Sequence, residues 1–438
     1  MPSRSDIVYW GAGPAALPTP VLESASQALL NYDSTGIGLA EHSHRSPIAN
    51  KVLADTKASL TALLDIPDNY EILFMQAGGT GEFSAAVYNL VGVWVERRRR
   101  KAEKDLSDQG LPKDQLDAKV LERLRKETAE ELKLDYLVTG SWSLKASQEA
   151  ARLVGPEHVN VAVDAREDGK FLKIPPESTW KLTPTKQQGG KGSALVWYCD
   201  NETVDGVEFP SFPKSLEPQG GDEEDGPLVV ADMSSNILSR RVDVKKYAAI
   251  FAGAQKNVGT TGLTLLILRK DLLPPATATP PSSLLRALNL PIPPIVLEYA
   301  TIAKNNSLYN TLSIFDVWVA GQVMANLLST FGDKKVSGME EVANGKSELL
   351  YGQLDKWPKV YHVVPDKTVR SRMNICFKVL GEGEVEKEWL KGAEERGLMG
   401  LKGHRSVGGI RISNYNSIPM EGAEKLAKYL EEFAQSKA

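Results

Sequence analysis

The stretch Ala252-Gly253-Ala254-Gln255-Lys256-Asn257 lies between two apolar runs, residues 247–251 and 262–268. Both runs are short and read as buried strands, so the stretch places one lysine in the turn between them. Burial disfavours an ammonium group. An amine with a depressed pKa is, however, suited to attack an aldehyde and hold it as a Schiff base. The plain alternative is a solvated lysine in a strand-to-strand turn, and the rest of the chain decides between the two.

Further short apolar runs at 71–75, 136–139, 159–163, 194–199 and 228–231 read as strands. They alternate with helical patterns at 21–32, 48–65, 143–153 and 314–328. Such alternation predicts an α/β fold with a large, mainly parallel sheet flanked by helices. Ligands bind such sheets at the carboxyl ends of the strands. Thr80, Trp142, Thr203 and Asp232 all fall just after strand runs. Beyond Gly332 the order changes to helix, strand, strand, helix, strand, helix, which predicts a smaller α+β C-terminal domain. The expected division is an N-terminal segment, 1–15, packing with the small domain and the active site, a large domain, 16–330, and a small domain, 331–438.

Composition sets limits. The chain has 438 residues, 42% hydrophobic and 25% charged, with a formal net charge of −4, so no basic excess favours nucleic acid. The two cysteines, Cys199 and Cys376, are far apart and support neither a disulfide framework nor a metal site. No secretion or organelle signal and no long apolar span is evident, so the expected place is the cytoplasm, with no membrane partner.

Several patterns are decoys. Residues 11–16, Gly-Ala-Gly-Pro-Ala-Ala, match a dinucleotide fingerprint, but Pro18 and Pro20 would break the helix that it needs. A tight turn beside a ligand is the better reading. Gly345-Lys346-Ser347 lacks the first glycine of a P-loop and sits in a helical pattern. Arg97 to Arg100 stand among interleaved acids, which favours a solvated helical hairpin over 96–133 rather than an RNA site. The 218–226 run reads as a loop or small insertion, and the Pro-rich 271–297 run as a connecting loop on the surface.

If Lys256 takes pyridoxal phosphate, four further parts are required. A carboxylate must keep the pyridine nitrogen protonated, and Asp232 fits. An aromatic ring should stack on the pyridine, and Trp142 fits. Gly79, Thr80, Gln255, Asn310 and Thr311 are candidate phosphate partners at a strand–glycine–helix turn or beside it. Thr203 offers a hydroxyl near the ring. Singly, Asp232 reads equally as a helix cap, Trp142 as core and Thr203 as a turn residue. A second cluster, His44-Arg45 with His404-Arg405 and Arg411, is cationic and flanked by glycines, which suits a substrate with a phosphate as well as a carboxylate.

The segments GAGPAALP (11–18), SHR (43–45), AGGTGEF (77–83), TGSWSLKA (139–146), NETVDGVEF (201–209), DMSSNILSR (232–240), AGAQKN (252–257), NNSLYNT (305–311) and GHRSVGGIRIS (403–413) cover nearly the whole length. In these the chain resembles the phosphoserine aminotransferase family, class V, fold-type I pyridoxal-phosphate enzymes. Glu82 stands where the family usually has glutamine, and Ala12 where some members have serine.

The resemblance implies that Lys256 forms the Schiff base and shuttles the proton, that Asp232 pairs with the pyridine nitrogen and that Trp142 stacks on the ring. Thr203 would lie close to the ring, and Gly79, Thr80 and Gln255 would hold the phosphate. Asn310 and Thr311 would reach that phosphate from the other subunit of a homodimer with shared active sites. Arg411 would bind the substrate α-carboxylate. His44 and Arg45 from the partner, with His404 and Arg405, would bind the substrate phosphate or the distal carboxylate of glutamate. The implied reaction interconverts 3-phosphohydroxypyruvate and L-glutamate with O-phospho-L-serine and 2-oxoglutarate, in L-serine biosynthesis. The alternatives are another class V, fold-type I enzyme acting on a small amino acid, including a cysteine desulfurase, and a noncatalytic scaffold of the same fold. Neither Cys199 nor Cys376 lies in the glycine-rich loop that a desulfurase cysteine would need.

Overall fold

The computed structural model describes residues 2–185, 188–217 and 227–437. Its centre is a seven-stranded sheet, in the order Tyr70–Met75, Thr264–Arg269, Ala249–Gly253, Leu228–Asp232, Leu195–Cys199, Leu134–Val138, Val159–Asp164. Only Thr264–Arg269 runs antiparallel to its neighbours. The other six strands therefore end along one edge. The register sets Asp232 beside Phe251 on one side and Cys199 on the other. Four of the strands, those at 134–138, 195–199, 228–232 and 249–253, are buried at every position, which explains their unbroken apolar sequence.

Helices cover the sheet, and local sequence fixes their ends. Pro47 opens the helix Pro47–Leu64, and the Ser46 hydroxyl accepts the Ala49 N–H at 3.1 Å as its cap. Pro20 likewise lies in the first turn of Thr19–Ala28, so the prolines start this helix rather than break one begun at Gly11. The helix Ile314–Phe331 is apolar enough over 18 residues to resemble a membrane span. Here it packs on Pro47–Leu64 and buries Val317, Ala320, Met324 and Leu327 in the core.

The helical hairpin expected over 96–133 is present, turning at residues 109–112, but its start and its solvation differ from expectation, and so does the Pro-rich run. The charged run 96–133 does not begin a new element. One helix, Gly78–Asp108, continues through Arg97–Arg100, and Lys113–Glu131 returns beside it. Glu96 is buried and accepts from Arg99 at 2.8 Å and from Arg100 at 2.9 Å. Ala102, Val120 and Leu124 join the main core. Interleaved charge looked like a fully solvated face because pairing within one helix leaves the same sequence pattern. The Pro-rich 271–297 run carries the helix Ser282–Ala287 and buries Leu272, Leu273, Leu285 and Leu288, so it is a packed strap rather than a surface loop. The 218–226 loop reading lies outside the described residues.

A three-stranded antiparallel sheet, Tyr361–Val363, Asn374–Val379 and Ile410–Ser413, forms a second layer with the helices Val385–Glu395 and Met420–Lys437. It has its own core around Trp389, Phe377 and Ile412. The strand Val8–Tyr9 pairs in parallel with Leu398–Met399. The helix Lys335–Lys356 serves both cores, giving Val336, Met339 and Ala343 to the first and Leu350 and Leu354 to the second. In that helix, the buried Lys346 ammonium donates to the carbonyls of Tyr415, at 2.9 Å, and Ile418, at 2.8 Å. That is a structural role, as the helical reading of 345–347 requires.

Candidate active site

Lys256 follows the strand Ala249–Gly253 by three residues and is buried, with 8% of its surface exposed. Its Nζ donates to Thr203 Oγ1 at 2.7 Å. Burial pulls the amine below the usual lysine range, while Asp232 draws it up and Arg411 pushes it down. Two contacts hold the lysine turn. Gln255 O accepts the Ala15 N–H at 2.9 Å, and Asn257 Oδ1 accepts the Asn416 N–H at 3.0 Å. A Cβ on Gly13 would lie 3.6 Å from the side chains of both Gln255 and Lys256. The glycine turn at 11–14 thus lies against the lysine, and Tyr415 donates its hydroxyl to Ala12 O at 2.9 Å to keep it there.

Asp232 ends the strand Leu228–Asp232 and is buried. Its Oδ1 accepts the Ser234 N–H at 2.8 Å, and burial pushes the carboxyl upward. The Ser234 hydroxyl in turn accepts the Gly253 N–H at 2.9 Å, which links the acid's strand to the lysine's strand. Gly79, in the first turn of Gly78–Asp108, faces this acid: a Cβ there would lie 3.8 Å from Asp232 Oδ2. Thr80 is exposed in the same helical turn. A helix start, with its N–H groups and the positive end of the helix dipole, is a natural seat for a phosphate.

Trp142 lies in the first turn of the helix Ser141–Val154, and its indole Nε1 is buried with no hydrogen-bond partner among the described residues. Its backbone is fixed by an acid that sequence reasoning did not assign. Glu202 Oε2 accepts the Trp142 N–H at 2.8 Å, and Oε1 accepts the Ser143 N–H at 2.9 Å. Asp205 Oδ2 accepts the Ser141 N–H at 2.7 Å. The hairpin 201–208 therefore caps this helix with two carboxylates and sets Thr203 between them. Burial, then the neighbouring Asp205, push the Glu202 carboxyl up, and the N–H groups of 142 and 143 pull it back. The signal was the acid spacing in NETVD, but nothing in it names the helix that it caps.

Arg411, on Ile410–Ser413, donates to Thr203 O at 3.4 Å. His404 lies near enough to Arg411, Lys145 and Arg405 for all three to push its imidazole down, after burial itself. Lys145 Nζ sits 4.4 Å from the Trp142 ring centroid. The cationic wall thus joins the small sheet to the helix of Trp142.

Among the described residues only Arg411 and Lys256 make a hydrogen bond to Thr203, and of the other predicted residues Asn310 and Thr311 are turned to another partner and Arg45 to solvent. Asn310 donates to the Gln76 side chain, and Gln76 Nε2 donates to Thr311 O at 3.2 Å. His44 keeps a buried Nε2 without a partner among the described residues, and Arg45 is exposed just before Pro47–Leu64.

Residues 157–426 match the family model described as Aminotransferase class-V. The chain is 39% identical over 435 residues to the phosphoserine aminotransferase of Saccharomyces cerevisiae, covering 99% of both. Among solved structures, a phosphoserine aminotransferase from Bacillus circulans subsp. alkalophilus matches with a TM-score of 0.77 and 32% identity, over 98% of each chain. A pyridoxal-phosphate-bound phosphoserine aminotransferase from Trichomonas vaginalis matches with a TM-score of 0.74 and 29% identity, over 97% of this chain and 99% of that one.

Proposed function

The chain belongs to the phosphoserine aminotransferase family within the class-V aminotransferases, and from that premise we propose how its own residues perform the reaction. It is a pyridoxal-phosphate-dependent aminotransferase of the fold-type I class, which interconverts 3-phosphohydroxypyruvate and L-glutamate with O-phospho-L-serine and 2-oxoglutarate in serine biosynthesis. The observation that carries the reading is the buried Lys256 amine, 2.7 Å from Thr203 and electrostatically coupled to the buried Asp232.

The residues fit the cofactor. Lys256 offers an amine with a lowered pKa for the aldehyde. Asp232 offers a carboxylate whose burial is costly until a cation meets it, as a pyridinium would. Gly79 leaves open the space in front of that acid, and the buried Trp142 indole N–H has no partner among the described residues. Gly79, Thr80 and Gln255 would hold the phosphate. When bound, pyridoxal phosphate supplies an electron sink for the pair left by breaking the substrate Cα–H bond.

The chain supplies the rest. Lys256, whose amine burial makes less basic, takes the proton from the substrate Cα and later returns a proton to it when the direction reverses. Thr203 holds the amine in line for that transfer. Arg411 binds the α-carboxylate with its planar fork. His404 and Arg405, with His44 and Arg45 of a second copy, bind whichever distal anion is present. One slot must accept a carboxylate from glutamate and a phosphate from the other substrate, which accounts for a cluster of cations and not one fixed pair.

We read the active unit as a homodimer. Among the described residues Asn310 and Thr311 are bonded to Gln76, and His44 and Arg45 lie just before Pro47–Leu64; a partner would bring the equivalent groups to the site. The division at about 15 and 330 is proposed on the two cores, which the helix Lys335–Lys356 joins. A cytoplasmic place agrees with two buried free thiols, Cys199 and Cys376.

The deciding experiment compares 3-phosphohydroxypyruvate, pyruvate and glyoxylate as acceptors with glutamate as donor. A strong preference for the phosphorylated acceptor is expected. Comparable kcat/KM for all three would favour a small-amino-acid transaminase instead.

A further inference from the structure

Lys145 lies four residues after Ser141 on the helix that carries Trp142, and its position in the sequence suggests an ordinary exposed helix lysine. Three observations set it apart. Its ammonium lies over the Trp142 ring, 4.4 Å from the centroid, a contact that restrains a side chain with four rotatable bonds. Burial raises the Asp205 carboxyl and lowers the His404 imidazole; Lys145 is close enough to oppose the first and add to the second, and so is Arg411. The acid that these cations act on is already committed: Asp205 Oδ2 accepts the Ser141 N–H at 2.7 Å and Oδ1 accepts the Ser141 hydroxyl at 3.2 Å. Lys145 itself forms no ion pair among the described residues. Lys145 and Arg411, from two separate segments, thus flank Asp205, and with Arg405 they lie close to His404, so positive charge is in excess here.

We propose that Lys145 is a specificity-determining residue of this site, binding the phosphoryl group of the phosphorylated substrate. The inference rests on the transaminase reading above. A phosphate monoester carries between one and two negative charges more than a neutral group at pH 7, and up to one more than a carboxylate. A given cation therefore favours the phosphate in proportion to that charge. A planar carboxylate is matched by the Arg411 fork, whereas a tetrahedral dianion is matched as well by a point charge on a mobile stem. Seated over the indole, Lys145 supplies that charge without displacing Arg411 from the α-carboxylate.

The test uses the holoenzyme and Lys145→Gln, with Lys145→Arg as the conservative control. The KM for 3-phosphohydroxypyruvate and for glutamate is measured, along with the Kd of O-phospho-L-serine by calorimetry. For Lys145→Gln, the first KM and the Kd should rise about five- to tenfold, the upper range for one partly solvated charge. The glutamate KM should change less than about twofold, Lys145→Arg should recover most of the loss, and high salt should shrink the difference. Equal rises for both substrates, or an arginine variant no better than the glutamine one, would overturn the assignment. A wild type with no preference for the phosphorylated acceptor overturns both readings. A wild type with that preference, matched by an unaltered Lys145→Gln, overturns this one alone.

Discussion

Glu202 Oε2 accepts the backbone N–H of Trp142 at 2.8 Å, across 60 residues of sequence. The same carboxyl takes the Ser143 N–H, so one buried acid closes the helix start that carries the indole and also neighbours Thr203 in the chain. Glu202, with Asp205 on Ser141, thereby ties the ring platform to the hairpin that carries the amine's partner. Glu202→Ala leaves two buried donors unsatisfied, at a cost of about 2–4 kcal/mol. Urea denaturation should report that loss. Near-ultraviolet dichroism should change with it, because Trp142 is released. An unchanged tryptophan signal at reduced stability would mean that the indole is held by its packing and not by this cap.

Lys256→Ala removes the buried amine and should abolish transamination. Borohydride treatment of the wild type loaded with pyridoxal phosphate should fix the cofactor to the chain, read as added mass in the intact protein. The variant should gain none. Retained turnover would refute the assignment of the proton-moving group.

Glu82 is fully buried, with Tyr299 donating to its Oε1 at 2.6 Å and Oε2 without a partner among the described residues. Burial raises this carboxyl from 4.5 to about 7, with Asp232 adding to the rise. The folded chain therefore holds the proton more tightly than the unfolded chain. Its contribution is fully present below pH 4.5 and is lost as pH rises through about 7. The full difference is about 3 kcal/mol, from ~1.4 kcal/mol per pKa unit. Glu82→Gln cannot ionise, so its melting temperature should exceed that of the wild type by a few degrees at pH 8 and match it near pH 5. A gap of equal size at both values would trace to packing rather than to the proton.

Arg405 is exposed and near enough to His404 to lower its pKa. Arg405→Ala should raise the KM for 3-phosphohydroxypyruvate by about tenfold while shifting stability by no more than ~0.5 kcal/mol. Steady-state assays with phosphorylated and unphosphorylated keto acids separate the cases. An equal loss with both would argue against a role toward phosphate.

Much of this architecture was legible in the chain. Continuous apolar runs such as Leu195–Cys199 and Leu228–Asp232 are buried on both faces, and that burial is what their sequence reports. The placement of Asp232, Trp142 and Thr203 after strand runs was legible for the same reason, since six of the seven strands of the large sheet end along one edge. The continuous helix through 96–108 was not, because acids and arginines paired along one helix give the same pattern as a solvated face.

Sequence by itself determined the alternation of strand and helix, the position of the lysine turn and the family, because these rest on local pattern and on motifs in fixed order. Tertiary structure alone decided who meets whom. Glu202 caps a helix 60 residues earlier, Tyr299 meets Glu82 across 217 residues, and Lys145 comes to His404 from a different layer. Periodicity specifies which face of an element leaves water. The partner on the other side of that face is set by packing between elements, which no run of neighbouring residues encodes.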